Sequence, residues 1–519
     1  MRLSSTRRKS ALIKLLGLFA ALALIATACG DAADDLADTA GEIDDVTDND
    51  NDDDGGDDDG DGDDPEPADD PEPADDPEPA DDPEPADDGA FTLSESDSAG
   101  ETLTVAIVGN PTMEDIMALT PEFFTEPTGI NINYVTLEEQ ALREQVTLGL
   151  GAGGGEFDVV MIGPFEAPQF GQNGWLEDLA PAAASTPGYN AEDIIPSVRG
   201  ALSVGDELYA VPFYAESSFI MFNQEIMDAN GIDFPAAPTW DEVAAIARQV
   251  DTDDVAGICL RGLAGWGDLG ASLTTVVNTF GGTWWEANAD GTPGEAQINQ
   301  PDSGFRAATE FYVDLLNDAG QPDAANSSFP QCLDQLQQGN VAMWYDATVA
   351  AGILEGDDSP LQGNLGVALA PTAEVTTPSG WLWSWALAIP AGSNNVPAAW
   401  EYASWATSAE YIRTAGENGP GGWAAAPPGS RNSTYQIPEY IAAAESFAQA
   451  TVDAINGVDP TNPGTTPRPG LPGVQYVGIP EFQDIGTRCT TEISAAIAGS
   501  ISVDEALDRC QEIASEVSQ

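Results

Sequence analysis

Beyond residue 100, short apolar runs alternate with turn residues, and this pattern predicts an α/β domain. Three apolar runs predict strands, at 103–108, 131–135 and 157–162. A segment with helical spacing, 137–150, lies between the second and the third of them. Strand, helix and strand at this spacing indicate a parallel sheet, in which ligands lie beyond the carboxyl ends of the strands. Asn110 and Glu166 follow two of these strand ends, so we expect them at a ligand site.

The first apolar run of the chain, 15–28, follows a basic segment that contains no acid. It is shorter than the ~20 residues that a membrane-spanning helix needs, and small residues precede Cys29. The pattern predicts an export signal, and the position of Cys29 resembles the lipobox of bacterial lipoproteins, with Ala26 where Leu is usual. An ordinary secretory signal with an incidental cysteine is the alternative, and Arg7-Arg8 gives a weak twin-arginine pattern.

Residues 29–100 predict a lipidated cysteine followed by a disordered acidic tether, because extreme charge and few aromatics prevent the burial of a core. The unit Pro-Glu-Pro-Ala-Asp-Asp repeats four times over 65–88. Proline and like charges extend such a chain, so 70 residues reach at most ~200 Å. Residues 50–61 also match part of a calcium-binding loop, but an Asp/Gly-rich run matches it by chance, and we expect no specific metal site.

The charge of the chain excludes several classes of function. It has 88 acidic residues against 15 basic ones and no His, and beyond Cys29 every basic residue is Arg. Nucleic-acid binding needs clustered positive charge, and catalytic triads or metal sites that use His cannot form. An acidic surface this dense indicates a protein suited to a salty exterior, because counterions would screen its self-repulsion.

Four cysteines remain after Cys29, and in an exported chain an even set predicts two disulfides. We favour Cys259–Cys332 and Cys489–Cys510, because each pair lies within one region, although four cysteines allow three pairings and buried free thiols are the alternative. The segment from Ser502 reads as a capped helix, which Cys489–Cys510 would join to the preceding one.

A series of segments in the body resembles the family 1 extracellular solute-binding proteins, and within them the polyol-binding (sorbitol/mannitol) branch. The segments occur in the order 209–219 (Tyr-Ala-Val-Pro followed by aromatic, acidic and hydroxyl residues), 257–262, 265–267, 276–282, 311–316, 342–352, 381–390 and 427–431. They cover most of 101–519. One departure is Gly267-Asp268 after Trp266, where an acid–amide pair is expected.

The resemblance implies an α/β, two-lobed periplasmic-binding-protein-like fold of class II topology with a hinge, preceded by the signal peptide and the disordered linker. The expected organisation is 1–28 signal peptide, 29–100 tether, 101–212 plus about 346–400 as the N-terminal lobe, and 213–345 plus about 401–519 as the C-terminal lobe. It also implies a function: binding a polyol or sugar between the lobes and delivering it to an ABC-type permease.

Aromatic rings stack on the C–H faces of sugars, and carboxylates, amides and Arg bond their hydroxyls. The candidate ligand-binding residues are therefore Asn110, Glu166, Tyr214, Glu216, Trp266, Asp346, Trp383 and Arg431. Each also has a structural interpretation. Trp381, Trp383 and Trp385 alternate as a core-facing strand would, Asp346 is placed to cap a helix, Arg431 could pair with a surface acid, and Asn110 could be a turn residue.

We therefore expect a binding protein without a cofactor, held as a monomer on the outer face of the cytoplasmic membrane by the lipid on Cys29. The alternatives are a cell-surface glycoside hydrolase with paired carboxylates and a sugar-binding sensor or adhesin without transport. Paired acids carry little weight in a chain with so many of them.

Overall fold

The computed structural model of the protein describes residues 90–288, 291–376, 380–464 and 471–517. The signal segment, Cys29, the calcium-loop candidate and nearly all of the tether lie outside the described residues. None of the helices in these four ranges combines the length and the apolar character that a membrane span requires.

The strands, in chain order, are β1 Thr102–Val108, β2 Asn131–Leu137, β3 Val159–Ile162, β4 Ser203–Val204, β5 Glu207–Leu208, β6 Val211–Glu216, β7 Ser218–Asn223, β8 Ala256–Cys259, β9 Trp285–Ala287, β10 Pro293–Ala296, β11 Val341–Ala347, β12 Leu365–Leu369 and β13 Trp383–Ala388. They form two main sheets, in the orders β2-β1-β3-β13-β6 and β12-β7-β11-β8. Two small hairpins, β4-β5 and β9-β10, complete the set within the described residues.

The α-helices are α1 Pro111–Thr120, α2 Glu126–Thr128, α3 Glu139–Gly151, α4 Glu166–Gln172, α5 Ala180–Ser185, α6 Pro196–Ala201, α7 Gln224–Ala229, α8 Trp240–Val250, α9 Leu269–Thr279, α10 Gly304–Ala319, α11 Phe329–Gln337, α12 Val349–Leu354, α13 Val396–Ala406, α14 Ala409–Asn418, α15 Pro438–Ala443, α16 Ala448–Asn456, α17 Phe482–Ile497 and α18 Val503–Ala514. A π-helical turn at Pro121–Thr125 and 3₁₀ turns at Ala191–Asp193, Ala324–Asn326 and Asn432–Gln436 lie between them.

The first main sheet and its helices form what we call the first lobe. The pairing of β1 with β2 and with β3 is parallel, so the parallel sheet predicted from the apolar runs is confirmed. The late strand β13 enters this sheet between β3 and β6 and pairs antiparallel with both, which is the class II order. Gly109 separates the carboxyl end of β1 from Asn110, whose side chain accepts a hydrogen bond from Met113 N at 3.0 Å and caps α1.

The second main sheet and its helices form the second lobe. β7 lies between β12 and β11 and pairs antiparallel with both, whereas β11 pairs in parallel with β8. Helices α9, α10, α17 and α18 pack together beside this sheet. The predicted cap at the start of α18 is present, since Ser502 Oγ accepts from Glu505 N at 3.2 Å.

The chain crosses from the first sheet to the second at Ser217, the one residue between β6 and β7. It returns between β12 and β13. These positions differ from the expected boundaries near 213 and 346, because β6 runs unbroken to Glu216 and because β12 adds a further strand to the second sheet. Helices α13 and α14 also differ from the expectation of a C-terminal lobe beginning near 401, since they pack on β6 and α1 of the first lobe.

The last residues assigned to the tether, 90–100, pack on the first lobe. Phe91 is buried in its core. Ser96 N donates to Thr128 O at 3.0 Å, and Ser96 Oγ donates to Glu401 Oε1 at 2.6 Å. The packed part of the chain therefore begins about ten residues earlier than expected, because this short stretch carries an aromatic anchor that the acidic repeats lack.

Two disulfides tie the second lobe, in the pairs favoured from the sequence. Cys259 at the end of β8 is paired with Cys332 of α11, with Cα atoms 5.6 Å apart, and Cys489 of α17 with Cys510 of α18, with Cα atoms 4.7 Å apart. All four residues are fully buried.

Candidate ligand-binding site

A cavity of about 250 Å³ lies between the two lobes. From the first lobe it is lined by Asn110 after β1, by Glu139 and Arg143 of α3, and by residues of β6 and β13. The second lobe contributes Arg261 and Trp266 from the segment after β8, Asp268, the start of α11, and Gln475 from the segment before α17. The carboxyl ends of β1 and β6 thus face the cavity, as expected of an α/β sheet, and the antiparallel strand β13 contributes its amino end.

Four side chains from neighbouring strands share the cavity-facing side of the first sheet. Trp383 on β13 lies opposite Glu216 on β6, and Trp385 lies opposite Tyr214. All four line the cavity. A side chain on Gly163 at the end of β3 would overlap the ring of Trp383, so the glycine allows the indole to reach this position. The Trp stripe recognised in the sequence is therefore a wall of the cavity.

Arg143 lies among the tryptophans. Its Cζ atom is 4.2 Å from the ring centroid of Trp266, 4.6 Å from that of Trp383 and 4.9 Å from that of Trp385. Such contacts stabilise a cation that has lost its water. The indole Nε1 atoms of Trp266 and Trp383 are buried and have no hydrogen-bond partner among the described residues, so both are donors available to a ligand.

Two carboxylates hold Arg143 in place. Glu139 Oε1 accepts from Arg143 Nη2 at 2.7 Å and from Nε at 3.2 Å, and Glu166 Oε1 accepts from Nη1. Gly163 N donates to Glu166 Oε2 at 3.0 Å. Burial raises the pKa of Glu166, although Arg143 opposes the rise. Glu166 does not line the cavity, so the prediction of ligand contact becomes a positioning role behind Arg143.

Arg261 is held from behind in the same way. Its Nε and Nη2 atoms donate to Asp346 Oδ2 at 2.8 Å and to Oδ1 at 2.6 Å. Asp346 is fully buried and also accepts from Trp344 Nε1 at 3.0 Å. It neither lines the cavity nor caps α12, whose first residue follows Thr348. The capping interpretation of Asp346 is therefore wrong, and the carboxylate lies behind Arg261, which lines the cavity.

Glu139 connects the lobes. Its Oε2 atom lies 3.8 Å from Arg261 Nη1, while its other oxygen binds Arg143. On the second lobe, a side chain on Gly267 would overlap Glu139 Oε1 and press on Arg143. The two lobes are thus in contact across the cavity through the charged groups that line it.

Asn110 and Tyr214 join at the other side of the cavity, where Asn110 Nδ2 donates to Tyr214 Oη at 3.0 Å. Asn110 consequently serves both as helix cap and as cavity wall. Burial raises the pKa of Tyr214 well above its usual value, and Glu216 adds to the rise.

Two acids in the cavity wall are shifted toward the neutral form. Burial raises the pKa of Glu216 to about 8 against the opposing effect of Arg261, with Asp346 and Glu139 adding to the rise. Burial and the nearby Glu139 raise the pKa of Asp268 to about 7, again against Arg261, and Ser328 Oγ donates to its Oδ1. At neutral pH both carboxyls can therefore donate a hydrogen bond as well as accept one.

Arg431, a predicted ligand contact, does not line the cavity. Its Nε donates to Thr407 O at 2.7 Å, and its Nη1 donates to Asn190 O at 3.0 Å and lies 3.3 Å from Asp193 Oδ2. Its Cζ sits 4.7 Å from the ring centroid of Tyr189. Arg431 is buried within the first lobe, where it links the end of α13 to the segment around residue 190.

Five of the eight residues predicted from the sequence line the cavity: Asn110, Tyr214, Glu216, Trp266 and Trp383. Sequence reasoning missed Glu139, Arg143, Arg261 and Gln475. One signal was present: Arg143 is the only basic residue between Lys14 and Arg199. Gln475 gave no signal; its Nε2 donates to Leu382 O at 2.9 Å and its buried Oε1 has no partner among the described residues.

Comparison with known proteins gives three findings. The family model of the bacterial extracellular solute-binding proteins matches residues 110–412. The mannitol-binding protein of Pseudomonas aeruginosa is 38% identical over 419 residues, which cover 79% of this chain and 92% of that protein. The crystal structure of a solute-binding protein from Agrobacterium vitis S4 with bound D-mannitol has a TM-score of 0.76 and 42% identity, covering 80% of this chain and 98% of its own.

A further structure, a solute-binding protein from Agrobacterium radiobacter K84 in complex with ribitol, has a TM-score of 0.68 at 21% identity and shares the fold. The two-lobed fold predicted from the sequence is confirmed by these neighbours, and so is the resemblance to polyol-binding relatives. The relatives are binding proteins, in agreement with the expectation that the chain is not an enzyme. The protein belongs to the family of bacterial extracellular solute-binding proteins.

Proposed function

We propose that the protein is the substrate-binding component of an ABC-type importer and that it binds a hexitol in the cavity between its lobes. The observation that carries the proposal is the composition of that cavity: four tryptophans and two arginines line it, with carboxyls behind and beside the arginines. Its relatives bind mannitol by their descriptions.

The cavity suits a small, uncharged molecule rich in hydroxyls. Indole faces cover the C–H groups of a polyol. The indole N–H groups of Trp266 and Trp383 offer donors, and the Oε1 atom of Gln475 offers an acceptor, for its hydroxyls. A volume of about 250 Å³ lies near the lower end of the usual ligand pockets of about 300–1,000 Å³. The size favours a monomeric polyol over an oligosaccharide.

Binding and closure are coupled in this arrangement. The first lobe supplies Arg143 and Trp383, and the second supplies Arg261 and Trp266, so a ligand satisfies groups of both lobes only when they meet. A hinge motion at Ser217, where the chain crosses from the first sheet to the second, would bring them together. A ligand that contacts both lobes favours the closed form by its differential affinity for it.

The remaining parts of the proposal concern the place of the protein. Lipidation of Cys29 would hold it at the outer face of the cytoplasmic membrane, and the acidic tether would let the monomeric body move between its ligand and the permease. A captured ligand would otherwise be lost by diffusion. The lipobox-like sequence and the Pro/Asp repeats support this part.

The experiment is incubation of the purified protein with mannitol, sorbitol, arabitol and a maltooligosaccharide, followed by measurement of both bound ligand and sugar products. We expect retention of a hexitol with no product. Cleavage of the oligosaccharide would instead support the glycoside hydrolase, and a cell lacking the permease encoded beside this chain would separate transport from sensing. Arg143→Met should abolish retention, whereas the exposed Arg413→Met is the matched control.

A further inference from the structure

The cavity holds more acids than bases. Two arginines, Arg143 and Arg261, meet five buried or nearly buried carboxyls supplied by both lobes. Three of them line the cavity, namely Glu139, Glu216 and Asp268, and two lie behind it, namely Glu166 and Asp346. The mature chain has no Lys or His to balance them. Closing the lobes therefore gathers an excess of negative charge in a space that excludes water.

Four of the five acids have a close partner. Glu139 and Glu166 bind Arg143, and Asp346 binds Arg261 through two hydrogen bonds. Asp268 accepts from Ser328 Oγ and lies 4.0 Å from Arg261. These partners fix the orientation of both arginines and use most of their donors.

Glu216 differs from the other four. It lines the cavity, is 5% exposed, and has no arginine within 4.0 Å among the described residues, although Arg261 attracts its charged form from farther away. Burying a carboxylate without a cation is costly, so such a group either takes up a proton or acquires a positive partner. The charged and titratable groups that face it come from four elements: Tyr214 on β6, Glu139 on α3, Arg261 after β8 and Asp346 on β11.

A cationic group on the ligand would supply the missing partner. We propose that the cavity accepts amino polyols, in which one hydroxyl is replaced by a protonated amine, in preference to the matching uncharged polyols, and that Glu216 selects the ammonium group. This inference rests on the proposed polyol-binding function and names a further ligand class for the same site. The same excess of negative charge makes the cavity reject polyols that end in a carboxylate.

The preference has a definite pH dependence. In an open form, which the proposed hinge motion implies, Glu216 would meet water, where a Glu carboxyl titrates at about 4.3. In the cavity of this structure, burial raises its pKa to about 8. At a pH between these two pKa values, closure around a neutral polyol therefore takes up a proton. The affinity of the protein for that polyol falls as the pH rises. Closure around an ammonium group needs no proton. The ratio of amine affinity to polyol affinity therefore grows as the pH rises, approaching about tenfold per pH unit.

The experiment is calorimetric titration of the full chain at about pH 5.5 and at about pH 8. The probes are mannitol and sorbitol, their 1-amino-1-deoxy and 2-amino-2-deoxy derivatives, and gluconate. We expect at least one amine to bind more tightly than its parent hexitol, by a ratio that is at least about tenfold larger at the higher pH, and gluconate to give no binding heat. Hexitol binding with no gain for any amine at either pH overturns this inference and leaves the proposed function standing.

A substitution assigns the effect to Glu216. Glu216→Gln keeps the shape and removes the charge, so the preference for the amine should disappear. The fall of hexitol affinity with pH should become smaller, and the remainder is due to Asp268, whose pKa is raised to about 7. Glu445→Gln, at an exposed position with the same chemical change, should keep the preference. A preference that survives in Glu216→Gln would contradict the assignment, and thermal melting of both variants checks that each is folded.

Discussion

Asp346 allows the sharpest test of how the site is built. It is fully buried and forms two hydrogen bonds, of 2.8 and 2.6 Å, with Arg261, together with further bonds from Trp344 Nε1 and Ala347 N. Asp346→Ala leaves the guanidinium buried beside the cavity without its main counter-charge. Removing one partner of a buried ion pair costs about 3–5 kcal/mol, and we expect the free energy of unfolding to fall by that amount.

The assay is urea unfolding followed by tryptophan fluorescence, with Asp318→Ala as the matched control. Asp318 pairs with Arg248 at 3.0 Å on the surface, where both side chains are about half exposed, and such pairs contribute about 0–1 kcal/mol. A loss below about 1 kcal/mol in Asp346→Ala, equal to that in the control, would refute the reasoning. The milder Asp346→Asn should weaken hexitol binding at least about tenfold through a misplaced Arg261; unchanged affinity would show that Asp346 does not position it.

Three further outcomes are expected. Trp383→Ala removes a cavity wall and a ring that contacts Arg143, so hexitol affinity measured by calorimetry should fall about tenfold or more, and an unchanged affinity would exclude the Trp wall from binding. Gly267→Ala places a methyl group against Glu139 across the cavity; the variant should fold normally by circular dichroism but bind weakly, and full affinity would argue against contact of the lobes at this point. The melting temperature of the wild type should rise with added salt, because its net charge of −73 is screened, and no rise would argue against a surface suited to salt.

The fold was largely predictable because its signals are local or ordered along the chain. The alternation in 103–108 and the apolar run before Gly163 specify strands, and the series of family-like segments specifies two lobes. The lobe boundaries were less predictable, because the single residue Ser217 between β6 and β7 leaves no break in the apolar pattern. The packing of Phe91 was missed for a different reason: it is an isolated aromatic residue in a polar stretch, which shows no apolar pattern.

The site was predictable where a residue type has few roles. Trp266, Trp383 and Tyr214 carry large rings that suit a sugar-like ligand, and all three line the cavity. Partner choice among charges was not predictable: with 88 acids in the chain, nothing local shows that Arg261 meets Asp346 or that Arg431 meets Asp193. Those pairings depend on the distances that the fold creates.

The central claim is that the cavity between the lobes binds a hexitol without converting it. Isothermal titration of the purified wild-type protein with mannitol and sorbitol tests it most directly. The account predicts a one-to-one complex of micromolar or greater affinity with at least one of them, and recovery of the unchanged polyol afterwards. The absence of binding heat with any hexitol, together with binding of an oligosaccharide, would contradict the claim.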